Sequence, residues 1–481
     1  MEKIILNNNF NESGYLINNY RSKKFGEKFL ITTDHGSWVF LDKKDFDFLL
    51  KDKVDENEKL FNLLEDKGIV ITKNNQEKIK SLLRERYEFL YSGPSLHIIV
   101  PTLRCNQKCI YCHASSEPEN SRGFDMDKNT TKKVVDFIFQ SPSKAITIEF
   151  QGGEPLLRFD IIKYIIEYAN KLNKEKKKDL RFALVTNLTL MDEEKLDYLI
   201  KNNIGICTSL DGPEELHDKN RGLFCSQGSY SFVRRWIKKI NEEYNRNGFN
   251  NRRVNALITV TKTSLEYMKK IIDEYINLGL KDIHLRFLNN LGDARLIWDK
   301  ISYSPEEFID FWKKAVDYIL EKNKAEIFLR ERNCMIILQK ILTNKDPNYL
   351  EMRSPCGAAI GQLAYSYNGD IFTCDEARMI NDDLFKLGNV KKDTFKEIIG
   401  SDQTCNVVLS SINDCQICDY CAYKPYCGVC PVCNFAEQGN IIAKIPETSR
   451  CKIYKEQFSY IFEKLKDSSN MKIFENWVNL N

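Results

Sequence analysis

Three cysteines carry the first chemistry of this chain. Cys105, Cys109 and Cys112 stand at x3 and x2 spacing in Cys105-Asn-Gln-Lys-Cys109-Ile-Tyr-Cys112, directly after an apolar run. Three thiolates on one loop can wrap a single metal centre. Zinc would want a fourth ligand, from His113 or another cysteine. An iron–sulfur cluster can be held by closely spaced cysteines with one iron left open for a substrate or cofactor. A second group is denser: Cys415, Cys418, Cys421, Cys427, Cys430 and Cys433, flanked by Cys356, Cys374 and Cys451. Taken alone, the two Cys-x2-Cys pairs of that stretch suit zinc as well. Cys207, Cys225, Cys334 and Cys405 stand apart and read as buried small hydrophobes.

The rest of the composition decides how to read these thiols. Cysteine-dense secreted proteins are small and disulfide-stapled, whereas this chain has 481 residues and 16 cysteines. The opening MEKIILNNNFNESG lacks the apolar core and cleavage site of a signal peptide. No run approaches the ~18–20 apolar residues of a membrane span. The expectation is a cytoplasmic protein whose clustered cysteines bind metal. With 42% hydrophobic and 29% charged residues, the chain has a globular composition, not a disordered one. A net charge of +3 argues against a nucleic-acid partner.

The elements that position these residues follow from the apolar pattern. Six short runs alternate with helical stretches: Leu96–Val100, Ala145–Phe150, Leu180–Val185, Ile204–Leu210, Val254–Val260 and Asp282–Phe287. The helical stretches are Thr130–Gln140, Asp160–Leu172, Asp192–Lys201, Tyr230–Tyr244 and Leu265–Leu278. That rhythm predicts a parallel sheet and, with six units, a partial barrel with its chemistry at the C-terminal strand ends. The three-cysteine loop follows the first strand. Gln151-Gly-Gly-Glu-Pro155 follows the second. Its glycines let the backbone approach a ligand closely, and the Glu154 carboxylate can hold an ammonium group.

Cys-x3-Cys-x2-Cys after strand one, with Gly-Gly-Glu-Pro after strand two and Tyr111 before the last cysteine, resembles the radical S-adenosylmethionine (SAM) enzymes. The resemblance implies a [4Fe–4S] cluster on Cys105, Cys109 and Cys112, with SAM chelating the fourth iron and yielding a 5′-deoxyadenosyl radical that abstracts a substrate hydrogen. Thr186-Asn-Leu-Thr189, Ser209-Leu-Asp-Gly-Pro213 and His217-Asp-Lys-Asn-Arg221 match further positions of that family. It implies SAM or substrate contacts from Gln151, Gly152, Gly153, Glu154, Pro155, Asn187, Ser209, Asp211 and Arg221. Competing structural roles are a turn for Asp211, an ion pair for Arg221 and a helix cap for Asn187. No acidic residue after a later strand stands out as a base, so the catalytic residue is left unassigned.

The C-terminal cysteines resemble the auxiliary-cluster extension called SPASM. Cys356, Gly369 and Cys374 fall at its intervals, and Cys418, Cys421 and Cys427 at its x2 and x5 steps. Cys430 departs, lying x2 rather than x3 after Cys427. The resemblance implies one cluster on Cys418, Cys421, Cys427 and Cys451 and another on Cys356, Cys374 and Cys430. The fourth ligand of the latter is open between Cys415, Cys433 and none, as is the choice between Cys430 and Cys433.

The expected architecture is a partial (β/α)6 barrel over 95–300, a helical linker over 301–355 and a SPASM region with a final helix over 356–481. Residues 1–94 form a winged-helix-like module that resembles precursor-peptide recognition elements, which take a leader peptide as an added strand. Leu96–Thr102, Ile148–Leu156 and Cys421–Pro431 resemble the peptide maturases of the His-Xaa-Ser system. The function so implied is oxidative modification of a ribosomal precursor peptide, such as crosslinking. It uses SAM, three [4Fe–4S] clusters and an electron donor such as flavodoxin or ferredoxin. The alternatives are a sulfatase-type, formylglycine-generating protein maturase and a non-enzymatic zinc or iron–sulfur protein.

Overall fold

A computed structural model describes residues 14–224, 228–343, 345–414 and 416–479. Each apolar run of the middle region forms a strand: β1 (Leu96–Ile99), β2 (Ala145–Phe150), β3 (Asp179–Val185), β4 (Gly205–Ser209), β5 (Asn255–Thr259) and β6 (Asp282–Arg286). Neighbours in sequence are neighbours in the sheet, and all are parallel. The five predicted helices fall between them as Lys128–Ile138, Phe159–Lys176, Glu193–Lys201, Tyr230–Arg246 and Met268–Asn277. Their starts are written in the chain: Asp127 and Asp192 accept from the backbone N–H three residues on. Pro305 occupies the first turn of helix Pro305–Lys324 behind a Ser304–Glu307 capping box, as expected.

Side chains alternate sharply along the barrel strands. Ile146, Ile148, Phe150, Phe182, Leu184, Ile206, Ile258, Ile283 and Leu285 are buried against the helices. The alternate residues Thr147, Glu149, Ala183, Val185, Cys207, Ser209, Leu257, His284 and Arg286 remain partly accessible. A parallel sheet normally buries both faces. This barrel therefore has a packed outer face and an inner face of mixed polar and apolar residues that is less tightly covered.

The sheet does not stop at six strands. Beyond β6 lies the two-residue β7 (Arg330–Glu331), and beyond β1 lie β8 (Gln362–Tyr365), β9 (Asp370–Phe372) and β10 (Lys386–Asn389). β8 runs parallel to β1, and His97 of β1 bonds the Tyr365 hydroxyl of β8 at 2.9 Å. After Cys356 the sequence pattern marks only a final helix. The region also contains this added edge, and helix Ser449–Lys464 is followed by a second, Ser468–Asn479, which buries Phe474 and Trp477.

At the N-terminus, Tyr20–Phe25, Lys28–Thr33 and Trp38–Leu41 form an antiparallel sheet. With helices Lys43–Leu50 and Glu58–Asp66 it has a small core of its own, around Tyr15, Ile31, Leu41, Leu49 and Leu64. The module is also seated on the cysteine-rich region. Thr32 Oγ1 donates to the Ala422 carbonyl (2.8 Å), Arg21 Nε to that of Asp419 (2.8 Å), and the Tyr426 hydroxyl to that of Gly36 (2.9 Å). Among the described residues no helix is long and apolar enough to cross a membrane.

Candidate functional site

β1 delivers the chain to a loop whose backbone is clamped on two sides. On one side Gly152 and Gly153 press against residues 102–104. A Cβ on Gly152 would fall on the Thr102 carbonyl oxygen, and one on Gly153 on those of Leu103 and Arg104; Gly152 also has φ +132°. The glycines are therefore required by the close approach of the second loop to the first. On the other side Arg221–Leu223 pairs antiparallel with Gln107–Cys109, placing Arg221 opposite Cys109.

The polar residues singled out in the sequence hold this loop. Glu154 is buried and accepts from Leu156 N (3.0 Å), Thr186 Oγ1 (2.7 Å) and Asn187 N (2.8 Å), tying the second loop to the third. Burial lifts its carboxyl above the ordinary range against those bonds. Asn187 caps no helix; its amide reaches Cys105 Sγ (3.9 Å) and Asn106 Oδ1 (2.9 Å). Asp211 is fully buried and accepts from the Tyr111 hydroxyl at 2.7 and 2.6 Å and from Asn220 at 3.1 Å. Arg221 Nη1 donates to the Tyr111 oxygen (2.9 Å) and Nη2 to Gln107 Oε1 (3.4 Å). Asp211, Tyr111 and Arg221 thus form one buried network under the cysteine loop, a larger role than a turn for Asp211. Gln151 bonds Glu149 (2.5 Å), Pro155 begins a short 3-10 turn, and Ser209 ends β4 facing the lumen.

The thiols are set for a ligand. Burial, Cys109 and Glu154 push the Cys105 thiol up; burial lifts Cys109 to about 11 despite Arg221. Thiolates there need a positive partner. Gln107 Nε2 and His113 Nε2 are buried without a partner at the rim. No described cysteine is in a disulfide.

The remaining cysteines divide in two. Cys356, Cys374, Cys430 and Cys433 pack together in one buried cluster, 4–6% exposed. Cys433, left open by the sequence, is thereby brought to the inner set. Cys430 is held as the more acidic of its pair, at about 6, by the Cys433 hydrogen bond and Arg450. Cys418, Cys421, Cys427 and Cys451 are only half-buried and line one cavity. Cys415 and Cys225 lie outside the described residues. Cys334 is fully buried as expected, Cys405 is exposed, and Cys207 faces the lumen.

One feature escaped the sequence reading. Arg286, at the end of β6, bonds Glu376 (2.8 Å) and faces Glu351 (3.7 Å), which meets Arg450 (2.5 Å). Against the cost of burial, Arg450 and Arg286 hold Glu351 down at about 2, while burial and the Glu351 charge lift Glu376 to about 7. The signal was the alternation of Asp282, His284 and Arg286 with Ile283 and Leu285 along one strand. The partners of Arg286 are 65 or more residues away.

Comparison with known proteins agrees with this geometry. Residues 99–275 match the radical SAM superfamily and residues 356–434 the SPASM iron–sulfur cluster-binding domain. A cysteine-type anaerobic sulfatase-maturating enzyme of Clostridium perfringens (strain 13 / Type A) is 27% identical over 382 residues, 76% of this chain and 95% of that protein. The fold resembles native anSMEcpe with bound AdoMet (TM-score 0.66, 22% identity, 79% of this chain and 99% of that one). It also resembles Streptococcus suis SuiB bound to precursor peptide SuiA (TM-score 0.53, 16% identity, 89% and 98%). The chain carries a radical SAM domain followed by a SPASM domain, and is a radical SAM enzyme.

Proposed function

We propose that the protein is an oxygen-sensitive, cytoplasmic maturase that oxidatively modifies a ribosomally made precursor peptide. In this reading Cys105, Cys109 and Cys112 hold the first [4Fe–4S] cluster. The inner set of Cys356, Cys374, Cys430 and Cys433 and the outer set of Cys418, Cys421, Cys427 and Cys451 hold two more. The donor chemistry fits, since soft thiols suit iron–sulfur clusters. The inner four pack in one buried cluster and the outer four line one cavity, while among the described residues no three of these side chains already stand in metal-holding geometry. Bound SAM and the first cluster supply a 5′-deoxyadenosyl radical. The chain's own residues do the rest. Gly152 and Gly153 keep the second loop against the first. Glu154, Asn187, Asp211 and Arg221 fix the cysteine loop and border the SAM site. The lumen admits the peptide while the helices exclude water from outside. Flavodoxin or ferredoxin delivers electrons.

The observation that carries the peptide reading is the N-terminal module. The likeness to anSMEcpe spans nearly all of that protein yet leaves about a fifth of this chain without counterpart. Residues 1–94, with their own core, are extra equipment for a leader peptide, with 95–300 as barrel, 301–355 as linker and 356–481 as the auxiliary region. A sulfatase-type maturase is the second reading, favoured by the sequence kinship with the Clostridium enzyme. Anaerobic incubation of the reconstituted enzyme with SAM and dithionite tests both. The substrates are the peptide of any short open reading frame found beside its gene and a cysteine-containing sulfatase peptide. Loss of two hydrogens from the former, with 5′-deoxyadenosine formed, supports the first reading. Modification of the sulfatase peptide alone overturns it.

A further inference from the structure

Arg450 lies where the barrel's charges meet the inner cysteines. It is 5% exposed and sits in the first turn of helix Ser449–Lys464. Nη2 donates to Cys433 Sγ at 3.0 Å and to Asn289 Oδ1 at 3.4 Å. Nη1 meets Glu351 Oε2 at 2.5 Å and the Tyr454 hydroxyl at 3.2 Å. The rings of Phe287 and Tyr454 flank the guanidinium at 5.2 and 5.8 Å. Glu351 in turn faces Arg286 at the end of β6. A line of alternating charge therefore runs from the lumen to a thiol of the inner set.

We propose that Arg450 raises the reduction potential of the cluster held by Cys356, Cys374, Cys430 and Cys433, and that Glu351 restrains this effect. The proposal rests on the reading that these four thiols ligate a cluster. One-electron reduction adds one negative charge to the cluster and its thiolates. A charged N–H on one sulfur stabilises that more negative state, and hydrogen bonds to cluster sulfurs are among the determinants of potential. The buried setting strengthens the interaction because little water screens it. Glu351 carries a full negative charge beside the guanidinium and offsets part of its field. Arg450 is thus a positioning residue for electrons, touching no substrate.

The test is a redox titration of the reconstituted full-length enzyme, followed by electron paramagnetic resonance, that resolves both auxiliary clusters. Arg450→Gln is expected to move the inner midpoint to more negative potential and leave the outer midpoint in place. Glu351→Gln is expected to move the inner midpoint the opposite way, because it leaves Arg450 uncompensated. Arg450→Lys, which keeps the charge without the fork, falls between wild type and Arg450→Gln. Unmoved midpoints, shifts of the same sign in Arg450→Gln and Glu351→Gln, or both clusters moving together would each overturn the proposal. Where Arg450→Gln does not load iron, Glu351→Gln decides: a positive shift supports it and none refutes it. Cys433→Ala checks the underlying reading separately. A loss of about four irons with the inner signal upholds ligation, so unmoved midpoints would then sink only the tuning. Full iron content with an intact inner signal sinks the ligation reading itself.

Discussion

The two auxiliary cysteine sets differ in how the chain assembles them. The outer set takes three of its four thiols from the ten residues Cys418–Cys427, and its members are half-buried around one cavity. The inner set draws on residues 356 to 433 and is 4–6% exposed. A local loop can build the first. The second needs the sheet edge β8–β9, helix Asp375–Ile380 and helix Pro431–Gln438 brought together. Burial also obliges the inner thiols to find donors: Ala377 N meets Cys374 Sγ at 3.3 Å, and Arg450 meets Cys433. Locality thus goes with the surface, and long-range assembly with the core. The outer set stands nearer solvent, and the inner set is enclosed by the sheet edge and its helices.

The largest test of this contrast is to remove one thiol from each set. Cys374 is also the N-cap of helix Asp375–Ile380. Cys374→Ala should cost about 1 kcal/mol of fold stability from the lost capping hydrogen bond, beyond the loss of its cluster. Cys418→Ala should lose its cluster with little change in the metal-free fold. Iron analysis combined with urea unfolding of the metal-free chains measures both. Equal destabilisation would erase the distinction.

Exposure predicts the next effect. With a ferrous chelator under anaerobic conditions, in a chain freed of its first cluster by Cys105→Ala, Cys109→Ala and Cys112→Ala, iron should leave in two phases, the outer set roughly tenfold faster, because solvent access governs attack on a cluster. Cys418→Ala should remove the fast phase. A single phase, or a fast phase that survives in Cys418→Ala, contradicts the assignment of inner and outer.

Acid sharpens the same contrast. His97 joins β1 to β8, the two strands whose other face turns Ile98 and Ala364 toward the inner set, and burial pushes its imidazole down to about 3. The unfolded imidazole takes up its proton near 6.5 and the folded one does not until about 3. The unfolded state therefore binds more protons throughout that window, and stability falls as pH drops below about 6.5. The slope is ~1.4 kcal/mol per pH unit for each such histidine; His217 and His284 share the depressed value. These groups lie in the barrel and its seam with β8, so the slow iron phase should quicken between pH 6.5 and 5. A slow phase indifferent to pH would mean that the seam does not control access to the inner set.

These expectations show which parts of the molecule the chain displays openly. The six barrel strands were legible because their outward residues are mostly apolar, and Asp127 and Asp192 mark the starts of two helices between them. The first cysteine loop was legible because one local spacing carries it. Strand Tyr20–Phe25 was missed, since YRSKKF buries only Arg21 and Phe25. β8–β10 were missed because Gln362–Tyr365 gains strand identity from pairing with β1, more than 260 residues earlier. The Arg286–Glu351–Arg450 line was illegible for the same reason: each charge finds its partner only through tertiary contact. The place of Cys433 could not be chosen from spacing and follows from packing.

The smallest effect concerns what holds the outer loop in place. Tyr426 lies between Cys421 and Cys427 in the chain and is fully buried, with its hydroxyl on the Gly36 carbonyl of the N-terminal module. Its ring packs with Phe458 and Phe462 of helix Ser449–Lys464. Tyr426→Phe keeps the ring contacts and removes only the hydroxyl, leaving the Gly36 carbonyl unsatisfied at a cost of about 1 kcal/mol. If the module braces the outer set, that loss speeds the fast iron phase about fivefold and leaves the slow phase alone, since 1 kcal/mol corresponds to about that factor. An unchanged fast phase would mean that the outer set is held by its own loop and by helix Ser449–Lys464 without help from the module. Leader binding to residues 1–94 would then have no mechanical route to the outer cluster through Tyr426.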